Sequence, residues 1–141
     1  MLHWTMARSS SLKTKFLRIL LVVGRWRVFS PIIQFLFKHM NHLLPVDHLA
    51  ENADWFAFFH PQPDYPLHIL ILPKGGIPTL SKAPDDQLVL YASLFDLVKV
   101  LLMQFNLESV GYRLITNGGP NQSIPQWHWH LVSEGWELKD A

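Results

Sequence analysis

Three features of the sequence predict an α+β fold, a small antiparallel sheet with one long helix packed on a face. Short apolar runs at 54–59 and 67–72 read as strands, bounded by Asp, Pro and Gly. A stretch from Asp85 or Asp86 to about Phe105 carries apolar residues at spacings of three and four, the period of a helix. Further strand-like segments then follow at 112–116 and 126–132, and strands, a helix, then strands is the order of a sheet covered on one side. The 141 residues, 49% of them hydrophobic, suffice for one domain with an appendage. The absence of cysteine excludes disulfides, thiolate zinc sites and thiol nucleophiles.

The appendage is marked by charge. Residues 1–45 hold Arg8, Lys13, Lys15, Arg18, Arg25, Arg27 and Lys38 with no acidic residue, so they carry +7. Residues 46–141 carry −6, leaving the chain at +1, and the boundary is read near Pro45. Within the basic part, Leu12, Phe16, Ile19, Val23 and Trp26 recur at helical spacing beside Lys15, Arg18 and Arg25, while Leu21 and Val28 lie opposite. Ser30-Pro31 then starts a second helix with a broad apolar surface and a stripe of Gln34, Lys38, Asn41 and His42. The longest uncharged run from 12 to 37 is only Val28–Phe37, too short to span a bilayer. Residues 12–44 instead suit an anionic membrane surface. Packing on the domain or a second subunit, and a cleaved transit segment, stay open beside it. Nucleic acid is not expected as a partner, because the segment is too apolar.

The second part, 46–141, reads in order as follows. Asp54–Phe59 is a strand, and His60–Pro66 a loop whose three prolines lack ladder donors. Leu67–Leu72 is a near-continuous apolar run fit for a central strand, ended by Pro73. Asp85 or Asp86 caps the helix, whose core face is read as Leu88, Tyr91, Ala92, Phe95, Val98, Leu102 and Phe105. Gly111 breaks the chain before the strand Tyr112–Thr116, and Asn117–Ser123 is a loop rich in Gly, Pro and Asn. In the last strand alternation places Gln126, His128 and His130 on one face and Trp127, Trp129 and Leu131 on the other, toward the helix. Two imidazoles on one face, next to a loop carrying amides and a hydroxyl, suit nucleophilic or proton-transfer chemistry near neutral pH.

Asn117, then Gln122-Ser123-Ile124, then Gln126-Trp127-His128-Trp129-His130-Leu131-Val132 resembles the histidine-triad (HIT) motif, which alternates three histidines with apolar residues. Pro66-Leu67-His68-Ile69-Leu70-Ile71-Leu72-Pro73-Lys74 is similar to that family's other histidine-bearing strand. The resemblance covers about residues 46–133 and departs from the pattern in three places. Gln126 stands first in the triad, Gly76 replaces a further histidine of many relatives, and Phe58-Phe59-His60-Pro61 stands where relatives often place an acidic residue for ribose. Asp64 is near but out of register.

The resemblance implies a HIT-like fold, commonly a homodimer, acting at the α-phosphate of a purine nucleotide derivative. His128 would be the nucleophile, passing through a nucleotidyl-imidazole intermediate, with the other ring nitrogen donating to a carbonyl. His130 would reach phosphate oxygens, Ser123 and Asn117 would hold phosphate or leaving group, and His68 and Gln122 would line the pocket. Gln126 cannot take up a proton at neutral pH, so a slow or altered hydrolase or transferase is expected, without cofactor. Two other readings stay open: a nucleotide-binding module without turnover, tethered by the basic segment, and a zinc site on His68, His128 and His130. His3, His39, His42, His48 and His60 read as solvated or packing histidines, Lys74 as a solvated strand-end charge, and Gly118-Gly119 as a tight turn. The expected location is the cytoplasm, free or peripheral on a membrane, with organellar targeting left open.

Overall fold

The computed structural model describes residues 48–137 together with Lys15. The basic segment, its two expected helices and the boundary near Pro45 otherwise lie outside the described residues. Among the described residues no helix is long and apolar enough to cross a membrane.

Five antiparallel strands form the sheet, in the order β1-β2-β3-β5-β4. They are β1 (Ala50–Glu51), β2 (Trp55–Phe59), β3 (Leu67–Pro73), β4 (Arg113–Thr116) and β5 (Trp129–Ser133). Every residue of β3 is buried, as a strand flanked on both sides requires. Pro73 ends it from within, at a position facing Trp55. The two-residue β1 was not anticipated, since Ala50-Glu51 is too short to show a period. It pairs with Ala57 and Phe56.

Helix α1 (Leu88–Gln104) lies on one sheet face, followed by the short α2 (Leu107–Val110). Two expectations about α1 need correction. Its N-cap is Gln87, without a side-chain hydrogen bond, because Asp85 and Asp86 belong to the preceding turn. Its buried face is Leu90, Leu94, Leu97, Val98 and Leu101, whereas Leu88 is 77% and Phe95 50% exposed. The helix carries two apolar stripes, so periodicity alone leaves its rotation undetermined. Polar anchors decide it: Trp55 Nε1 donates to the Leu90 carbonyl (2.8 Å), Asn52 Nδ2 to the Ser93 carbonyl (2.7 Å), and Ser93 Oγ to Asp54 (2.8 Å). All three bind the helix to the β1–β2 turn.

The core fills the space between α1 and the face formed by Trp55, Ala57, Leu67, Ile69, Ile71 and Leu131. Trp127 packs here with Trp55 edge-on at 5.2 Å. Gly111, with φ of 84°, turns the chain from α2 into β4 in a conformation that disfavours a side chain. Residues paired across a ladder share a face. The register Phe58↔Leu70↔His130 and His68↔Val132 therefore puts both histidines on the face away from α1.

Candidate functional site

The site lies where β3 and β5 run side by side. Leu70 faces His130 and Val132 faces His68, so the two histidines are diagonal neighbours on one face. Their rings meet, His68 Nε2 lying 2.9 Å from His130 Nδ1. His128 precedes β5 rather than belonging to it, since the strand begins at Trp129 and not at the expected Gln126. The backbone of 126–128 makes other bonds instead. Trp127 N donates to Ile77 O (2.8 Å), and Thr116 Oγ1 donates to His128 O (2.8 Å) while accepting from Trp127 Nε1 (3.1 Å). The alternation nevertheless survives: Trp127 joins the core, and the His128 ring sits 4.8 Å from that of His130.

A fourth ring completes the cluster. His60, expected to be solvated or packing, stacks on His68 at 4.1 Å and lies 6.1 Å from His130. The register explains it, because Phe59 faces Ile69 and the next pair is His60 and His68. His60 N donates to His68 O at 2.8 Å, carrying the ladder one residue past β2. The three prolines that follow hide this extension in the sequence. The alternation of Phe56, Phe58 and His60, opposite a strand containing His68, was the signal available.

Hydrogen bonding assigns the ring protons, with carbonyls and backbone N–H groups as fixed references. His128 Nδ1 lies 2.6 Å from the Gln126 carbonyl, which can only accept, so the proton is on Nδ1 and Nε2 keeps a lone pair. The Asp64 N–H donates to His68 Nδ1 (3.2 Å), so His68 carries its proton on Nε2 and donates it to His130 Nδ1. His130 then holds its proton on Nε2, a buried donor without a partner among the described residues. An unsatisfied buried donor costs about 1–3 kcal/mol, which an incoming acceptor would recover.

All four rings are neutral at pH 7. Burial is the first cause, lowering His60, His68 and His130 to about 4. Repulsion follows: from His68 on His60, from His130 on His68, and from His128 and His60 on His130. The Asp64 carboxylate opposes it at all three. Burial also lowers His128, whose bond to Gln126 pulls the other way.

The other expected residues are spread more widely. Gln126 is fully buried, with Nε2 donating to Gly75 O at 3.3 Å and Oε1 unpartnered among the described residues. Gln122 has a structural role, its Nε2 donating to the carbonyls of Pro78 (2.6 Å) and Ile124 (2.8 Å). Asn117 is half-buried and Ser123 exposed; among the described residues neither hydrogen-bonds a histidine ring. Gly118 and Gly119 make the expected tight turn, closed by Asn121 N on Gly118 O. Lys74 is not a free strand-end charge but pairs with Glu51 at 2.9 Å. As a metal-ligating set the structure gathers His60, His68 and His130, with His60 in the place expected for His128.

The model of the HIT domain matches residues 42–135. A HIT-like protein of Chlamydia pneumoniae is 30% identical over 96 residues, which cover 67% of this chain and 86% of that protein. Adenylylsulfatase HINT1 of Arabidopsis thaliana is 32% identical over 99 residues, covering 67% of each chain. Among solved structures, a HIT family hydrolase from Legionella pneumophila Philadelphia 1 superposes with a TM-score of 0.63 at 30% identity, covering 70% of this chain and 89% of that one. The family model spans the sheet, the helix and all four clustered rings: this chain belongs to the HIT family.

Proposed function

We infer that the protein is a nucleotide hydrolase or nucleotidyl transferase acting at the α-phosphate of a purine nucleotide derivative, a phosphoramidate or phosphoanhydride. One observation carries the reading: a neutral His128 whose Nδ1 is tied to the Gln126 carbonyl, leaving the Nε2 lone pair, beside a His130 that presents an unpartnered N–H. His128 Nε2 attacks the α-phosphorus, forming a P–N bond as the bond to the leaving group breaks. The Gln126 carbonyl stabilises the positive charge that grows on the ring, and His130 Nε2–H donates to a phosphate oxygen. Water then attacks phosphorus, and the nucleoside monophosphate leaves His128. Asn117 and Ser123, on the loop that leads into residues 126–128, take phosphate or leaving group once the substrate is bound. Two similar proteins, the adenylylsulfatase of Arabidopsis and the HIT family hydrolase of Legionella, support the same chemistry.

The test is incubation with a panel of adenosine and guanosine phosphoramidates and dinucleotides, followed by mass spectrometry. The expected result is a nucleotide attached to His128 and the loss of both adduct and turnover in His128→Ala. Parental turnover by His128→Ala would refute the mechanism. Nucleotide binding in a calorimeter without hydrolysis of any substrate would favour the rival reading, a binding module without turnover.

Two assembly features belong to the same reading. The outer side of α1 exposes Leu88, Val89, Phe95, Val100 and Met103 around the exposed Asp96–Lys99 pair, a largely apolar face suited to a second copy of the chain. Light scattering on the full chain is expected to give a dimer. The acid-free basic segment 1–45 is assigned to an anionic membrane surface, and loss of vesicle co-sedimentation in a chain starting at Val46 would support that assignment.

A further inference from the structure

The reaction above gives His60 no task, yet its half-buried ring is stacked on His68. Its ring nitrogens and those of His68 and His130 include a set of three that lie within 4.8 Å of one another. We propose that His60, His68 and His130 hold one divalent transition-metal ion of the zinc class. Imidazole nitrogen suits zinc, and three histidines leave a fourth position open. In a tetrahedral site with Zn–N of 2.0–2.1 Å the ligand nitrogens stand about 3.3 Å apart. His68 Nε2 and His130 Nδ1, at 2.9 Å, need to spread only slightly. His60 must move inward, and it stands past the end of β2 where the ladder no longer holds it on both sides.

The ring protons can be followed through the step. His130 is already in the required form, with its proton on Nε2 and its lone pair on Nδ1. His68 moves its proton from Nε2 to Nδ1, giving up the 3.2 Å bond from Asp64 N, and remains neutral. The exposed Asp64 carboxylate hydrogen-bonds none of the three rings among the described residues, but its charge acts on all of them. His60 accepts from Gln62 N at Nδ1 (3.0 Å), so its proton is on Nε2; it offers Nδ1 by giving up that bond and also stays neutral. No group is oxidised and no proton is lost overall. Three neutral imidazoles leave the ion's double charge uncancelled, and Asp64 is the acidic side chain placed to offset it.

Metal uptake is independent of the nucleotide reading. The experiment is titration of untagged, chelator-treated full-length protein with Zn²⁺ against a chromophoric chelator, repeated with Co²⁺ to follow the visible absorption of a tetrahedral ion. One tight equivalent per chain is expected. His60→Gln, which keeps the ring's bulk in part but offers no imidazole, should weaken it by about 100-fold or more, since loss of a supporting outer-shell group alone costs 10–100-fold. Circular dichroism of the variant verifies that it folds, and binding that persists in it at low affinity measures the remaining histidines. A tight equivalent that survives His60→Gln, or no tight equivalent in the parent chain, overturns the proposal. Zinc binding by a chain that hydrolyses no nucleotide would sink the hydrolase reading and leave the metal site standing.

Discussion

Four neutral rings packed together make the domain sensitive to mild acid. In the unfolded chain each histidine takes up its proton near pH 6.5, whereas His60, His68 and His130 resist until about 4. The unfolded state thus binds more protons across that window. Stability is full above pH 6.5, falls as the pH drops toward 4, and the loss then levels off. At 1.36 kcal/mol per pH unit, one ring costs about 2 kcal/mol at pH 5. Three rings do not cost three times as much. Part of each lowering is repulsion from a neighbour that would have to be charged at the same moment, and His60 and His130 retain some access to water. Halving the sum leaves about 3 kcal/mol, set against a total of about 5–15 kcal/mol for a domain. For a domain of this size that is a fall in Tm of about 10–20 °C. Calorimetric melts at pH 7, 6 and 5 in the presence of EDTA measure it directly. His60→Gln removes one ring and the repulsion it exerts, and should recover about a third of the loss. A Tm at pH 5 within about 2 °C of that at pH 7 would show that the rings are not held neutral by burial.

Two further predictions concern residues around His128. Replacing Gln126 by His restores a proton carrier in a fully buried position that already faces the Gly75 carbonyl. It should raise turnover of an alkyl phosphoramidate by about 10²–10⁴-fold and leave a para-nitrophenyl leaving group nearly unaffected, because only the former needs protonation. Equal small changes for both substrates would show that position 126 takes no part in proton transfer. Thr116→Val preserves shape but strands the Trp127 Nε1 donor and frees the His128 carbonyl, so about 1–3 kcal/mol of stability should be lost. If Thr116 positions the nucleophile, kcat falls with KM unchanged; a stability loss with unchanged kcat would make Thr116 purely structural.

The strands and the helix were readable because each carries its own period or apolar run; alternation put His128 and His130 on one face, and the place of His68 beside them was implied by the family resemblance. What escaped was set by long-range contact. The face of α1 turned toward the core was misread because Leu88 and Phe95 are as apolar as Leu90 and Leu94, and only the bonds from Trp55, Asn52 and Ser93 choose between the stripes. β1 was missed because two residues have no period. His60 was missed for a related reason: Pro61, Pro63 and Pro66 announce a loop, but the ladder runs one residue further before it starts. Thr116 gave no sign at all, since its hydroxyl matters only once Trp127 and the His128 carbonyl arrive from eleven and twelve residues away.

The position of Gln126 bears on how His128, the proposed nucleophile, keeps its tautomer although the first triad residue is not a histidine. The group that fixes the His128 tautomer is the main-chain carbonyl of residue 126, not its side chain. Any residue at 126 supplies that carbonyl, provided the backbone holds its path, and that path is fixed by Trp127 N on Ile77 O and by Thr116 on the following carbonyl. In the proposed mechanism, activation of the nucleophile and protonation of the leaving group are therefore separable. The first resides in the backbone of residues 126–128 and survives the change to glutamine, whereas any proton delivery from position 126 does not. A substitution that disturbs the backbone, Thr116→Val, and one that alters only the side chain, Gln126→His, should consequently act on different steps. The first should slow formation of the nucleotidyl adduct for every substrate, and the second should change the rate only where the leaving group must be protonated. Rapid-quench measurement of adduct formation with good and poor leaving groups distinguishes them, and a shared leaving-group dependence in both variants would show that the two tasks are not separate.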